Sequence, residues 1–111
     1  MTVQELPEFA KEADRILGER SHELLIEFLG LNPQAGVIVR ATGGIRKLRW
    51  LVPGRGKRGG VRVIYYFHSE KLPLLALDIY SKNEKADLTP REKKQLRAAV
   101  AQYIKAGLGE R

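Results

Sequence analysis

Lys47, Arg49, Arg62, Tyr66, His68, Tyr80 and Lys82 fall on one parity of three successive strand-like stretches. Brought to one surface, these side-chain types suit the handling of phosphate. Arginine stays charged and grips phosphate oxygens with two prongs, while lysine adds a point charge. A lysine held among other cations titrates lower than usual and approaches general-base duty. Tyrosine and histidine can stack on an unpaired base or move a proton. RNA carries its own nucleophile, the 2′-hydroxyl. A protein that orients that group and stabilises the phosphorane can therefore cut RNA largely by positioning and fixed positive charge. In such a scheme Arg62, in mid-strand, is the expected clamp on the phosphorane. Lys47 is the expected base, with Lys82 as its rival. Tyr66 is the expected stacking residue, and Tyr80 is expected to donate a proton or to stack. His68 stands at a strand end, where a surface or capping role suits it as well as acid–base work.

The charge distribution agrees with a polyanionic partner. Residues 28–69 hold no acid and eight bases: Arg40, Arg46, Lys47, Arg49, Arg55, Lys57, Arg58 and Arg62. The first 27 residues hold seven acids and three bases, and residues 70–111 six acids and nine bases, for a net charge of +7 over the 111-residue chain. A surface built only for solubility intersperses both signs, whereas a block of one sign creates a strong local potential. Other chemistries find less support. There is no cysteine, which removes disulfides, thiolate metal sites and cysteine nucleophiles. The only histidines are His22 and His68, and Asp78 and Glu84 are the only acids near the proposed surface, too few for a two-metal site. The glycine-rich run Gly54–Gly60 lacks a Gly-Lys followed by Ser or Thr and precedes a strand, so a flexible basic cover over a polyanion suits it better than a nucleotide loop. No apolar run reaches the length of a membrane span, and the N-terminal residues lack the order of a signal peptide, so a cytoplasmic protein is expected. Neither a cofactor nor a metal is expected.

The elements that must position these residues read as follows. Thr2–Leu6 alternates as a short strand. Pro7 opens a helix with Phe9, Ala13, Ile16 and Leu17 on its apolar stripe, and Gly18 ends it. Ser21 is the expected cap of a second helix, with Leu24, Leu25, Phe28 and Leu29 as its stripe and Pro33 closing it. The two helices are expected to form an antiparallel pair with an acidic outer face, on which His22 is simply exposed. After the Gly43-Gly44 turn, Ile45–Val52, Val61–His68 and Leu74–Tyr80 read as an antiparallel meander. Leu48, Trp50 and Val52, then Val61, Val63, Tyr65 and Phe67, then Leu75, Leu77 and Ile79 are the expected core parities, with Arg46 snorkelling at a strand start. Thr89-Pro90-Arg91-Glu92 carries the signature of a capping box, Leu96, Val100, Tyr103 and Ile104 supply the last helix's stripe, and Gly107 is its expected stop. The order helices, strands, helix implies a single α+β domain over residues 1–111. Its helices are expected to pack on one sheet face and leave the other open.

Gly43–Trp50, Pro53–Lys57, Gly59–Tyr66 and Tyr80–Thr89 together resemble the HigB-like branch of the RelE toxin superfamily. The resemblance spans nearly the whole chain. It implies a RelE-like fold: an antiparallel-rich twisted sheet with two N-terminal helices on one face and a C-terminal helix. It implies the toxin of a type II toxin–antitoxin pair that enters the ribosome and cuts bound mRNA without metal, by 2′-hydroxyl attack. The implied partners are the ribosome, mRNA and a helix-turn-helix DNA-binding antitoxin, which alone would contact operator DNA. By position, Arg62 matches the family's arginine after the basic loop, Lys47 and Arg49 the paired bases of the preceding strand, and Lys82 the later active-site segment. Lys47, Arg49, Arg62 and Lys82 are thus the expected catalytic set. Arg46, Arg55, Lys57, Arg58, Tyr66, His68, Tyr80, Asn83 and Lys85 are the expected substrate contacts. The family pattern has an arginine where Asn83 falls and a tyrosine near Leu88, so the general acid is left open among Lys82, Lys85, Tyr80 and His68. Two other readings stand beside cleavage: a non-catalytic block of translation by occupancy of RNA or ribosome, and a ParE-like gyrase poison on the same fold.

Overall fold

The four apolar residues at helical spacing near the N-terminus, Phe9, Ala13, Ile16 and Leu17, are the four that α1 (Pro7–Leu17) buries in the computed structural model, which describes residues 1–52 and 60–109. A short strand, β1 (Val3–Glu5), precedes it. One residue, Gly18, joins α1 to α2 (Glu19–Leu31). Its φ of 80° lies in the region glycine enters without strain, so the chain reverses in a single step. That step displaces the expected cap. Gly18 itself is the N-cap of α2 with no side-chain hydrogen bond, and Ser21 lies buried one turn inside. Its Oγ accepts a hydrogen bond from Trp50 Nε1 at 3.4 Å.

The sheet continues with β2 (Val37–Ile38), β3 (Ile45–Trp50), β4 (Val61–Tyr66) and β5 (Leu74–Ser81), and the chain ends in α3 (Pro90–Leu108). The strand order is β1-β5-β4-β3-β2. The meander β3–β4–β5 is antiparallel, as its short connections require, while β1 runs parallel to β5 and makes the sheet mixed. The two-residue β2 pairs Val37 with Lys47 and Ile38 with Arg46, and it is too short to show a period in sequence.

All helices sharing one sheet face is overturned. α1 and α2 cover one side, where Phe9, Ala13, Leu25 and Leu29 pack with Val61, Val63, Tyr65, Leu74, Ala76 and Ile79. α3 covers part of the other, where Val100, Leu96, Tyr103 and Ile104 meet Ile45, Ile64, Tyr66, Leu75 and Leu77. The cause is in the strands. β4 is buried at all six positions, so both of its parities need cover. Each fully buried side chain of this size contributes about 1.5–3 kcal/mol, and leaving Ile64, Leu75 and Leu77 in water would forgo it.

The expected parity of β5 fails at one point. Pairing passes from Ile64↔Asp78 to Tyr65↔Ala76, leaving Leu77 as an extra residue in a bulge. Leu75 and Leu77 therefore face α3, whereas Ile79 faces the helix pair. Asp78 and Tyr80 keep the side expected of them, and the bulge sets Tyr80 opposite Arg62.

α3 begins with the capping box read from sequence. Thr89 Oγ1 accepts from Glu92 N at 3.1 Å, and Glu92 Oε1 accepts from Thr89 N at 2.9 Å. The helix runs past Gly107 to Leu108, with Gly109 as its left-handed cap. Gly107 instead gives room to Leu72. Tyr103 Oη donates to Pro73 O at 2.7 Å, so α3 lies back along β5 and its C-terminal half reaches the start of that strand.

Candidate nucleic-acid interface

Three strands contribute one residue each to a row. Arg49 on β3 pairs with Arg62 on β4, and Arg62 pairs with Tyr80 on β5. Arg49 is exposed. Arg62 and Tyr80 are only 8 % and 6 % exposed, yet Arg62 Nη1 and Tyr80 Oη are buried without any hydrogen-bond partner among the described residues. A buried donor left unpaired costs about 1–3 kcal/mol, and more when charged. Two such atoms on neighbouring strands leave donor capacity unused among the described residues, beside the exposed Arg49. Gly60 borders it: a side-chain carbon there would stand 3.2 Å from Arg62 Nη1. Burial, with the negative charges of Asp87 and Asp78 and the approach of the Asp87 carboxylate to the hydroxyl, pushes Tyr80 up to about 12, and the opposing pull of Arg62 does not outweigh them. At neutral pH Tyr80 is therefore a hydrogen-bond donor.

A frame of carboxylates and lysines surrounds the row. One register step along the strands, Lys47, Ile64 and Asp78 stand opposite one another. Lys47 Nζ lies 3.5 Å from Asp87 Oδ1. The Leu88 N–H donates to that same oxygen at 2.7 Å and, with Lys47, holds the Asp87 carboxyl below its ordinary range. Lys85 pairs with Glu92 and lies 4.0 Å from Asp78, and its Nζ sits 4.9 Å from the centroid of the Tyr80 ring. The ion pair with Lys85, helped by the Thr89 N–H, keeps Glu92 below its usual value. Burial raises Asp78 despite the Ile79 N–H on its Oδ1. Glu92 thus serves twice: it closes the capping box and holds the cation over Tyr80. Asp78, Asp87 and Glu92 were not among the expected site residues. The capping signature announced Glu92 only as a cap, and pairing between the 82–88 segment and the sheet carries no sequence period.

The other expected residues divide. Arg46 faces the helix-pair side, where its Nη1 donates to Gly36 O at 2.7 Å and Gln34 O at 3.2 Å, so it pins the connection before β2 and stands apart from the row. Tyr66 is buried against Ile45 and Leu75 rather than presented as a stacking platform. His68 is exposed beyond the opposite end of β4, with its Nδ1 3.0 Å from Ser69 Oγ. Lys82 and Asn83 are exposed in the turn after β5, where Lys82 N donates to Gly60 O at 3.1 Å. Arg55, Lys57 and Arg58 lie outside the described residues. So the structure brings together Lys47, Arg49, Arg62, Tyr80 and Lys85, places Lys82 and Asn83 at the margin, and leaves Arg46, Tyr66 and His68 elsewhere.

His22 is not the free surface residue expected. Its Nδ1 lies 2.6 Å from Asp14 Oδ1 and its Nε2 contacts Glu5, tying α2 to α1 and β1. Burial disfavours its charged form, but the two carboxylates together outweigh burial and raise its pKa. Among the described residues no three His, Asp or Glu side chains are grouped as metal ligands, and no helix is long and apolar enough to cross a membrane.

A family model described as the RelE toxin of the RelE / RelB toxin–antitoxin system matches residues 34–109. The match begins just before β2, runs through α3, and includes every residue of the row and its frame.

Proposed function

The chain belongs to the RelE toxin family, a toxin of a toxin–antitoxin system with a cognate antitoxin as its partner, and from that premise we propose that it is a ribosome-dependent mRNA endonuclease of the HigB-like branch. One domain spans residues 1–111 and acts in the cytoplasm without metal. Its antitoxin is a small helix-turn-helix protein, through which alone it meets operator DNA. The observation that carries the cleavage reading is the row itself: two buried polar atoms, Arg62 Nη1 and Tyr80 Oη, without a hydrogen-bond partner of normal geometry among the described residues, beside the exposed Arg49.

In this reading the scissile phosphate sits over Arg62, with Arg49 sharing its charge. Fixed positive charge beside the phosphate stabilises the negative charge that grows on the phosphorane. Lys47, on the same face of β3 as Arg49, is the base for the 2′-hydroxyl, with Lys82 in the adjoining turn as the alternative. Asp87, paired to Lys47, holds that side chain against the sheet. Lys85 adds positive charge beside Tyr80. Exposed bases around the rim supply the long-range attraction to RNA, which weakens steeply with salt.

Primer-extension mapping of mRNA ends after brief expression tests the reading. Wild type should produce new ends within translated codons, and Arg62→Ala should produce none. Growth arrest without cuts would move the assignment to occupancy or gyrase poisoning, and cuts retained by Arg62→Ala would remove Arg62 from the mechanism.

A further inference from the structure

We propose that Tyr80 is the general acid of the cut, giving its hydroxyl proton to the departing 5′-oxygen while Arg62 holds the phosphate between them. The inference rests on the endonuclease reading above and fills the role that the sequence left open.

Position argues for it first. Arg62 lies on the middle strand of three, with Arg49 and Lys47 on one side of it and Tyr80 on the other. An in-line displacement needs just this division, with the entering and leaving oxygens on opposite sides of phosphorus. β3 and β5 are two strand spacings apart, about 10 Å. That distance suits a phosphorane with one hydrogen bond, about 2.8 Å long, at each axial oxygen. A group on β3 then serves the 2′-oxygen and a group on β5 the 5′-oxygen.

The alternatives are worse placed. His68 is exposed beyond the far end of β4 and bonds Ser69. Lys85 is already engaged by Glu92 and Asp78. Lys82 is exposed in a turn past the row. Tyr80 ends in a buried hydroxyl on the strand next to Arg62; among the described residues it makes no hydrogen bond of normal geometry, and its nearest acceptor is the Asp87 carboxylate. It carries its proton at neutral pH, with its pKa pushed up to about 12 by burial and nearby carboxylates. As the proton leaves, negative charge grows on the ring, and Lys85 Nζ is held 4.9 Å from that ring's centroid. Lys85 and Glu92 are then positioning residues for Tyr80.

The step balances. The O2′–P bond forms and the P–O5′ bond breaks with its electron pair going to O5′. O5′ takes the proton from Tyr80 Oη, and the proton of the 2′-hydroxyl goes to the base on the β3 side. The products are a 2′,3′-cyclic phosphate and a 5′-hydroxyl, and solvent returns a proton to Tyr80.

A bridging sulfur at the 5′ position leaves without needing a proton, and this separates acid catalysis from any structural role. Ribosomes programmed with mRNA carrying either the natural 5′-oxygen or a 5′-sulfur at the cleavage site are given wild type, Tyr80→Phe and Arg62→Ala. Tyr80→Phe should cut the oxygen substrate about 100-fold more slowly, the scale of a lost general acid. On the sulfur substrate it should return to near the wild-type rate, while Arg62→Ala should remain slow on both. Equal loss by Tyr80→Phe on both substrates, or no loss on either, overturns the proposal and leaves the endonuclease reading standing. Failure of wild type to cut either substrate overturns both.

Discussion

Tyr65 and Tyr80 are buried tyrosines of the same sheet, and the fold treats their hydroxyls in opposite ways. Tyr65 faces the helix pair, and its oxygen accepts a hydrogen bond from Gly36 N at 2.7 Å. Tyr80 faces the α3 side, and its oxygen has no partner among the described residues. The contrast extends to their surroundings. On the helix-pair side Arg46 is bound to two backbone carbonyls, Trp50 reaches Ser21, and His22 is held between Glu5 and Asp14. On the other side Arg62 keeps a nitrogen with no partner among the described residues. One face is finished as structure. The other holds polar groups whose hydrogen-bonding capacity is unfilled among the described residues, and such local inconsistency is expected where a protein works rather than where it is merely stable.

Substitutions can break or sharpen this contrast. Leu25→Ala, in the fully buried layer under α2, should lower the unfolding free energy by about 2–5 kcal/mol in denaturant titration. Leu31→Ala, on the same helix but 73 % exposed, should stay within about 0.5 kcal/mol of wild type. Tyr65→Phe strips the partner from a buried backbone N–H and should cost about 1–3 kcal/mol while leaving RNA cutting intact. Comparable losses of cutting in Tyr65→Phe and Tyr80→Phe would erase the distinction between the two tyrosines. Thr89→Ala removes half of the capping box and should cost about 1 kcal/mol. It should also slow cutting modestly, because Glu92 then holds Lys85 less firmly.

The smallest effect expected is a pH dependence from His22. Its folded pKa is raised, so its contribution to stability is complete below the unfolded value of about 6.5 and fades as pH rises through the folded value. Wild type should lose stability across that window, and His22→Gln should not. Parallel pH profiles for the two would mean that the contacts with Glu5 and Asp14 contribute nothing across that range.

The row was legible in the sequence because it lies on strands. Alternation alone put Lys47, Arg49, Arg62 and Tyr80 on one side, and pairing joined them. The capping box of α3 was equally plain, being a local motif whose partners are three residues apart. What escaped was non-local or irregular. The bulge at Leu77 inverts parity within one strand, and no composition marks it. The burial of Tyr66 depends on where α3 returns, which neither element states alone. Ser21 looked like a cap because capping residues are recognised by type, yet Gly18 turned the chain three residues earlier. The roles of Asp87, Glu92 and His22 rest on contacts between separate elements, for which spacing along the chain has no code.

Arg62→Leu, with melting temperature and cutting of ribosome-bound mRNA measured on the same preparation, tests the central claim most directly. Leucine removes a buried charge that has no ion-pair partner among the described residues, so the protein should melt at the wild-type temperature or above. Cutting should fall by about 10²–10³-fold, the scale of losing a fixed donor to a developing anion. A protein that melts lower yet still cuts at near the wild-type rate would contradict the account, since Arg62 would then belong to the structure and the site would lie elsewhere.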